Sequence, residues 1–333
     1  FLIEDISISG NKISKKEIIL RELTFSVGNS IYKSELSQHI SKSRENLLNT
    51  SLYNFVTIDF KVLKDSSIHV FIAVTERWYI WPSPIFEHAE RNFGAFIHDP
   101  HWNRINYGGQ LMWYNFRGRR EQLKIKLRLG YKEQLEILYD KPNFGKQQKH
   151  GLTFAINQTR QHEVNVATVS NKPVYLRNDN SYLSEIFNPY IIYSYRNSLY
   201  SRNFLSFSWT GLKYRDSETH EQYTGLSHGE NLSWFLGEYA FKYDFRDSKA
   251  YPLKGNSLNL FVRQRVPILP KGKGISKASL LLNATHHGIL SKRLFYNDAF
   301  RMQLSKDIYE PKVYRSGIGY GPYMRGYELF VMD

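Results

Sequence analysis

The stretch GPYMRGYELF, residues 321–330, sets Arg325 between Met324 and Gly326 and follows it with Tyr327. A guanidinium keeps its charge at any physiological pH and offers five donors in a fork that matches a carboxylate. On a glycine-containing loop such an arginine is a latch. Were that loop folded against a wall, Gly326 is expected to let the backbone approach closely and Tyr327 to pack beside it. A second constellation, YDFRDSKAYPLKGNSL at 243–258, places Asp244, Arg246 and Asp247 ahead of Pro252 and Gly255. Pro fixes φ and donates to no ladder, while Gly accepts unusual backbone geometry, so this reads as strand, turn, strand.

Other reactive residue types lack a partner at useful spacing. HDPH, with His98, Asp99 and His101, has metal-ligand chemistry but falls in a polar connector. His286 and His287 adjoin on a strand and point to opposite faces, so they do not ligate jointly. GIGYGP is no dinucleotide fingerprint, because Pro322 breaks the spacing and no helix follows. With zero cysteines there is no thiolate site and no disulfide. The expectation is a protein that is not an enzyme and needs no metal or cofactor.

The elements that carry these residues are strands. In EQLKIKLRLGY, Leu123, Ile125, Leu127, Leu129 and Tyr131 share one face, and Lys124, Lys126 and Arg128 the other. The same period recurs from Arg77 onward and predicts about eleven strands, starting near 78, 107, 121, 133, 150, 181, 203, 231, 255, 277 and 294. In the strand over 231–246 the parity puts Asp244 and Arg246 opposite Phe235, Tyr239 and Phe241. Connectors after even strands (RGRR, NSLYSR, SKR) are short, and those around 160–180 and 215–230 are long and polar. Short turns at one rim and long loops at the other mark a transmembrane barrel; the brief link near Lys132 is the exception.

Composition agrees without deciding. The chain has 333 residues, 41% hydrophobic and 15% aromatic, with a net charge of +14. Its mean hydropathy of -0.48 and lack of a long apolar run exclude helical spans only. A soluble sandwich would also alternate, but eleven long strands in one meander are easier to accommodate closed. The charge implies an anionic neighbour. Lys and Arg are spread along nearly every strand rather than clustered on one surface, which argues against nucleic acid.

Residues 1–76 follow a different pattern: a strand in FLIEDISISGN, a capping-type Ser14 and Glu17 opening SKKEIILREL, a helix through SELSQHISKSRENLLNT, then strands FVTIDFKVL and IHVFIAVTE. The order is β-α-α-β-β. The chain opens in mid-strand without a signal-type segment, which predicts a processed chain or a fragment. The barrel's first strand is expected at RWYIWPSPIF, where Trp78 and Ile80 precede Pro82 and Pro84, two residues without ladder donors.

Residues 1–76, with ISISGN, Gly28 and LYNFVTIDFKV, resemble a POTRA domain. The D-x-x-D-x-x-x-x-P-x-x-G pattern at Asp244, Asp247, Pro252 and Gly255, followed by Met324-Arg325-Gly326-Tyr327, resembles the BamA/TamA family of outer-membrane assembly factors. The family's usual Val is Met here, and Tyr is an accepted aromatic. The resemblance covers essentially the whole chain. It implies a fold of one α+β POTRA domain at 1–76, in the periplasm, followed by an all-β antiparallel transmembrane β-barrel over 77–333 in the bacterial outer membrane. It also implies a barrel of about sixteen strands, so that the chain stops inside the sixth extracellular loop. The carboxylate partners of Arg325 would then lie beyond Asp333, with Asp244 and Glu238 as secondary contacts.

The implied function is insertion and folding of β-barrel clients, with the POTRA sheet receiving an unfolded strand by edge addition and a weak barrel seam templating its pairing. Implied partners are outer-membrane lipids, unfolded β-barrel clients, and accessory lipoproteins or envelope-complex subunits. The alternative is a transporter of the two-partner secretion type, which exports one polypeptide through its lumen.

Overall fold

The computed structural model describes residues 1–63, 66–88, 97, 102–169, 172–215, 231–268 and 276–309. Its N-terminal unit comprises β1 (Leu2–Ser9), α1 (Lys16–Leu20), α2 (Lys33–Asn49), β2 (Tyr53–Val62) and β3 (Ser67–Glu76). β3 lies in the middle of the sheet, parallel to β1 and antiparallel to β2. Alternation along β3 turns Ile68, Val70, Ile72 and Val74 inward, where they pack with Ile19, Leu36 and Leu47 from the helical segments. Each such fully buried aliphatic side chain contributes about 2 kcal/mol. β2 remains an edge strand and exposes Phe55 and Phe60.

The first helix is shorter than its sequence predicts. α1 has five residues, and Lys15 at its N-cap makes no side-chain cap. The Ser14 hydroxyl is committed elsewhere: it lies 3.3 Å from Tyr79 Oη and accepts a hydrogen bond from Asn115 Nδ2 at 2.9 Å. A contact between the two units has displaced the local cap.

The second unit is a meander of β4 (Ile80–His88), β5 (Ile105–Phe116), β6 (Glu121–Gly130), β7 (Lys132–Phe144) and β8 (His150–Gln161), a hairpin of β9 (Glu163–Val169) and β10 (Lys172–Arg177), then β11 (Ser184–Arg196), β12 (Ser201–Tyr214), β13 (Asn231–Asp244), β14 (Gly255–Ile268), β15 (Ser276–Ser291) and β16 (Leu294–Tyr309). Eleven of these strands form one antiparallel sheet, from β4 at one edge to β16 at the other, with every sequential neighbour paired except where the hairpin intervenes. All eleven begin within three residues of the positions that alternation predicts. The hairpin occupies a segment expected to be a polar connector. It folds over Leu183, Leu212, Leu232 and Trp234, against which Val164 and Leu176 pack.

Register turns the alternation into a continuous apolar band. Tyr193, Leu205, Tyr239, Val262, Leu280 and Leu304 lie in one unbroken row across six strands. Phe207, Phe235, Val266 and Phe300 on the same face are more than half exposed, at 56%, 55%, 51% and 56%. The opposite face is polar and crossed by ion pairs, Lys124 to Glu136 at 2.9 Å and Arg263 to Glu238. No helix among the described residues is long and apolar enough to cross a membrane.

Candidate functional site

The two units meet at one rim of the large sheet, where turns between strands reach the helical unit. The β5–β6 turn is tightly curled: Asn115, Arg117, Gly118 and Arg120 all have positive φ, at 49°, 57°, 72° and 60°. The Gly118 carbonyl oxygen accepts a hydrogen bond from the Lys15 N–H at 2.8 Å. A Cβ at Gly118 would fall 2.0 Å from the Ile13 carbonyl oxygen, so only glycine permits this approach. Asn115 ties the turn to Ser14 and accepts the Arg120 N–H at 2.8 Å.

Glu22 is the centre of the junction. It follows Arg21, the C-cap of α1, and its carbonyl accepts Asn46 Nδ2 from α2 at 3.1 Å, which fixes the backbone that presents the carboxylate. Arg196, the last residue of β11, meets that carboxylate with two hydrogen bonds of 2.7 Å. Arg120 Nη1 lies 3.3 Å from Oε1, as does Arg21 Nε. Burial alone would raise the Glu22 pKa; the Arg196 hydrogen bonds and the charges of Arg120, Arg196 and Arg21 outweigh it and hold the group at about 2. Burial pulls Arg21 down to about 9, partly opposed by Glu22 and reinforced by Arg196 and Arg120. Glu22 and Arg196 are 174 residues apart, and no local pattern in the sequence signals their pairing.

The strand–turn–strand motif forms the second contact. Asp244 accepts two hydrogen bonds from Arg246, at 2.7 and 2.8 Å, just where β13 ends. Asp247 organises the turn by accepting the N–H groups of Ser248, Leu253 and Lys254 at 2.8, 3.1 and 3.3 Å. Gly255 has φ +112°, and a Cβ there would sit 2.1 Å from the Phe245 carbonyl oxygen. Pro252 lies within the loop that Asp247 holds. Asn49, at the end of α2, donates Nδ2 to the Asp247 carbonyl at 3.1 Å and accepts the Lys249 N–H at 3.2 Å. The Lys42 ammonium rests over the Phe245 and Tyr200 rings at 4.7 and 5.4 Å.

Pro82 and Pro84 lie on the edge strand β4, opposite Leu111 and Gly109. The Tyr114 N–H donates to the Tyr79 carbonyl at 2.8 Å, which makes Tyr79 and Tyr114 a hydrogen-bonded pair. By antiparallel alternation the odd residues of β4 bond β5, so the donors absent at Pro82 and Pro84 belong to the open edge. Ile80 begins that strand, and Trp78 precedes it, with its indole N–H donating to the Ile80 carbonyl. His286 and His287 do face opposite ways, His286 toward Asn256 and Tyr296 and His287 into a buried position. Among the described residues no three His, Asp or Glu side chains form a metal-sized group. Met324, Arg325, Gly326 and Tyr327, like His98, Asp99 and His101, lie outside the described residues.

The POTRA family model, described as a surface antigen variable number repeat, matches residues 1–77. No curated protein sequence matches the chain. Among solved structures the chain is similar to CdiB from Escherichia coli, with TM-score 0.53 and 9% identity over 92% of this chain and 55% of that one. BamA from Haemophilus ducreyi lacking POTRA domains 1–3 aligns at TM-score 0.49 and 14% identity, over 90% of this chain and 56% of that chain. CdiB from Acinetobacter baumannii aligns at 0.48 and 12%, over 93% and 53%. The chain thus spans little more than half the length of each. Residues 1–77 are a POTRA domain, and the antiparallel sheet joined to them has the fold seen in CdiB.

Proposed function

We propose that this chain belongs to an outer-membrane protein of the BamA/TamA type that inserts and folds β-barrel clients, with the POTRA domain on the periplasmic side. The supporting observation is the continuous exposed apolar band on one face of an antiparallel meander, joined at a single rim to a POTRA domain. In lipid such a band is solvated, and the polar face with its ion pairs lines the bore. The protein makes and breaks no covalent bonds. It supplies edges: β2 of the POTRA sheet to receive an extended client segment, and β4, whose prolines leave it short of donors, as one side of a weak seam. Outer-membrane lipids, client barrels and accessory envelope subunits are the partners this role requires, and Arg325 latches the loop that carries it.

Export of a single polypeptide through the bore is the second reading, favoured by the cationic residues around the POTRA end of the sheet. Depletion in cells separates the two. Assembly activity predicts that many outer-membrane barrels fall together, whereas export predicts the loss of one secreted product with barrel levels unchanged. Disulfide locking of β4 to the last strand of the closed barrel should abolish assembly, and full activity in the locked protein would overturn the seam mechanism.

A further inference from the structure

Between the POTRA domain and the polar face of the sheet lies a cavity of about 240 Å³. Six cationic side chains line it, Arg120, Arg196, Arg202, Lys242, Arg246 and Lys249, against only two carboxylates, Glu22 and Asp244. Both carboxylates are already engaged, Glu22 by Arg196 and Asp244 by Arg246. The Lys242 ammonium is held over the Phe204 and Phe261 rings at 4.9 and 5.7 Å. Neither the Arg202 guanidinium nor the Lys249 ammonium makes a hydrogen bond or ion pair with a described residue; the opposite charges that act on them without contact are Glu22 and Asp140 for Arg202, and Asp244 and Glu22 for Lys249. Like charges crowded this closely repel one another, and an added anion would relieve that repulsion.

The surroundings select the anion. The cavity opens onto the polar face of the sheet, away from the apolar band, so a lipid headgroup does not reach it with its chains in the membrane. It also has a continuation. Thr50, Arg120 and Arg202 line both this cavity and a larger one of about 680 Å³, which runs past Tyr114 and Met112 to Trp81 and Ser83 on the edge strand β4. That larger space carries Glu121 and Asp140 as well as Arg77, so the excess of positive charge is confined to the POTRA end. A small free anion would use the first cavity alone; an extended polypeptide fits the pair.

We infer that the junction cavity binds a carboxylate-bearing stretch of an unfolded polypeptide and directs the adjoining residues toward β4. The inference rests on the proposed handling of client polypeptides and adds to it the charge of the segment that is held. Arg202 and Lys249 give the carboxylates their charge-assisted hydrogen bonds, and the caged cations Arg196, Arg246 and Lys242 set the field.

The experiment uses full-length protein in nanodiscs and a fluorescein-labelled octapeptide of alternating glutamate and serine, amidated at its C-terminus, with the glutamine–serine octapeptide as neutral control. The acidic peptide is expected to bind with an affinity that falls as salt rises, and the neutral one not to bind. Arg202→Gln with Lys249→Gln should weaken binding about tenfold or more, while Lys292→Gln in the exposed turn between β15 and β16, away from the cavity lining, leaves it unchanged. Because the double variant disturbs the junction, a photoreactive benzoylphenylalanine at Asn259 in the otherwise native protein gives a second readout, and it should crosslink the acidic peptide. Equal binding of both peptides, full affinity in the double variant with no crosslink at Asn259, or complete displacement by millimolar inorganic phosphate at constant ionic strength would overturn the proposal. Depletion tests the client-handling role separately, so barrels lost on depletion without acidic-peptide binding would remove this cavity's role and leave the function standing.

Discussion

Arg196 at the end of β11 grips Glu22 of the POTRA domain through two parallel hydrogen bonds of 2.7 Å, with both side chains largely withdrawn from water. A pair of this kind holds two units in a fixed relation, because each partner left alone would be a buried charge. Replacing Glu22 with Gln strands Arg196, Arg120 and Arg21 beside a neutral amide. The junction should lose about 3 kcal/mol, read as a lower unfolding midpoint of the POTRA domain in the intact protein. An unchanged midpoint would mean that the pair is incidental.

The same carboxylate sets an acid limit. Its folded pKa, about 2, lies below its ordinary 4.5, so its stabilisation is complete above pH 4.5 and disappears as pH falls toward 2. Protease sensitivity of the POTRA junction should rise across that window and stay flat above it. In Glu22→Gln this acid step should be absent, and its persistence would assign the transition to other groups.

Gly118 makes a sharper geometric prediction. A methyl there meets the Ile13 carbonyl oxygen at 2.0 Å, on a backbone already at φ +72°. Gly118→Ala should break the Lys15 to Gly118 hydrogen bond and cost about 2 kcal/mol. Amide exchange at Lys15 would report it as faster exchange, with the eleven-stranded sheet unaffected. Native protection at Lys15 in the variant would contradict the contact.

Asp247 should govern the motif turn. Burial opposes its ionisation, but the N–H groups of Ser248, Lys254 and Leu253 overcome this and keep its pKa below the usual 3.8. The turn is therefore held above that value and loosens in more acidic solution. Asp247→Ala releases three backbone donors in a largely hydrated loop, a loss of about 1 kcal/mol. Trypsin should then cut after Lys249 and Lys254 faster than in the parent, and equal rates would show that Pro252 and Gly255 suffice to hold the turn.

The two faces of β12 offer a test of the membrane reading. Phe207 is 56% exposed within the apolar band, and Ser206 beside it faces Glu238 across the polar side. Phe207→Arg should destabilise the protein in lipid vesicles by about 2–4 kcal/mol, whereas Ser206→Arg adds its charge to the polar face beside the Arg263–Glu238 pair and is tolerated. Urea unfolding from vesicles measures both. Equal tolerance at the two positions would argue for water on both faces.

How much of this was legible in the sequence depends on the range of the interaction. The eleven strands were readable because one face of each must be apolar, and that demand writes a period of two into runs such as LKIKLRL. The POTRA order was readable for the same local reason, from helical spacing in Ile18, Ile19 and Leu23 and alternation in IHVFIAV. β9 and β10 are not legible as strands because EVNVATV and KPVYLR, seven and six residues long, are shorter than the strands of the large sheet and lie within a stretch otherwise rich in polar residues. Ser14 read as a helix cap because nothing near it announces Asn115. Glu22 is not legible in the sequence, since its meaning comes from Arg196 and Arg120, and a charge at a helix end looks like any solvated residue.

The POTRA domain touches the tips of three separate hairpins, β5–β6 through Gly118, β11–β12 through Arg196 and β13–β14 through Asp247. It therefore works as a jig that sets the spacing of distant staves. A tilt of this one small body would drag several strand ends together, so that a modest lever movement becomes a change in the curvature of the whole wall.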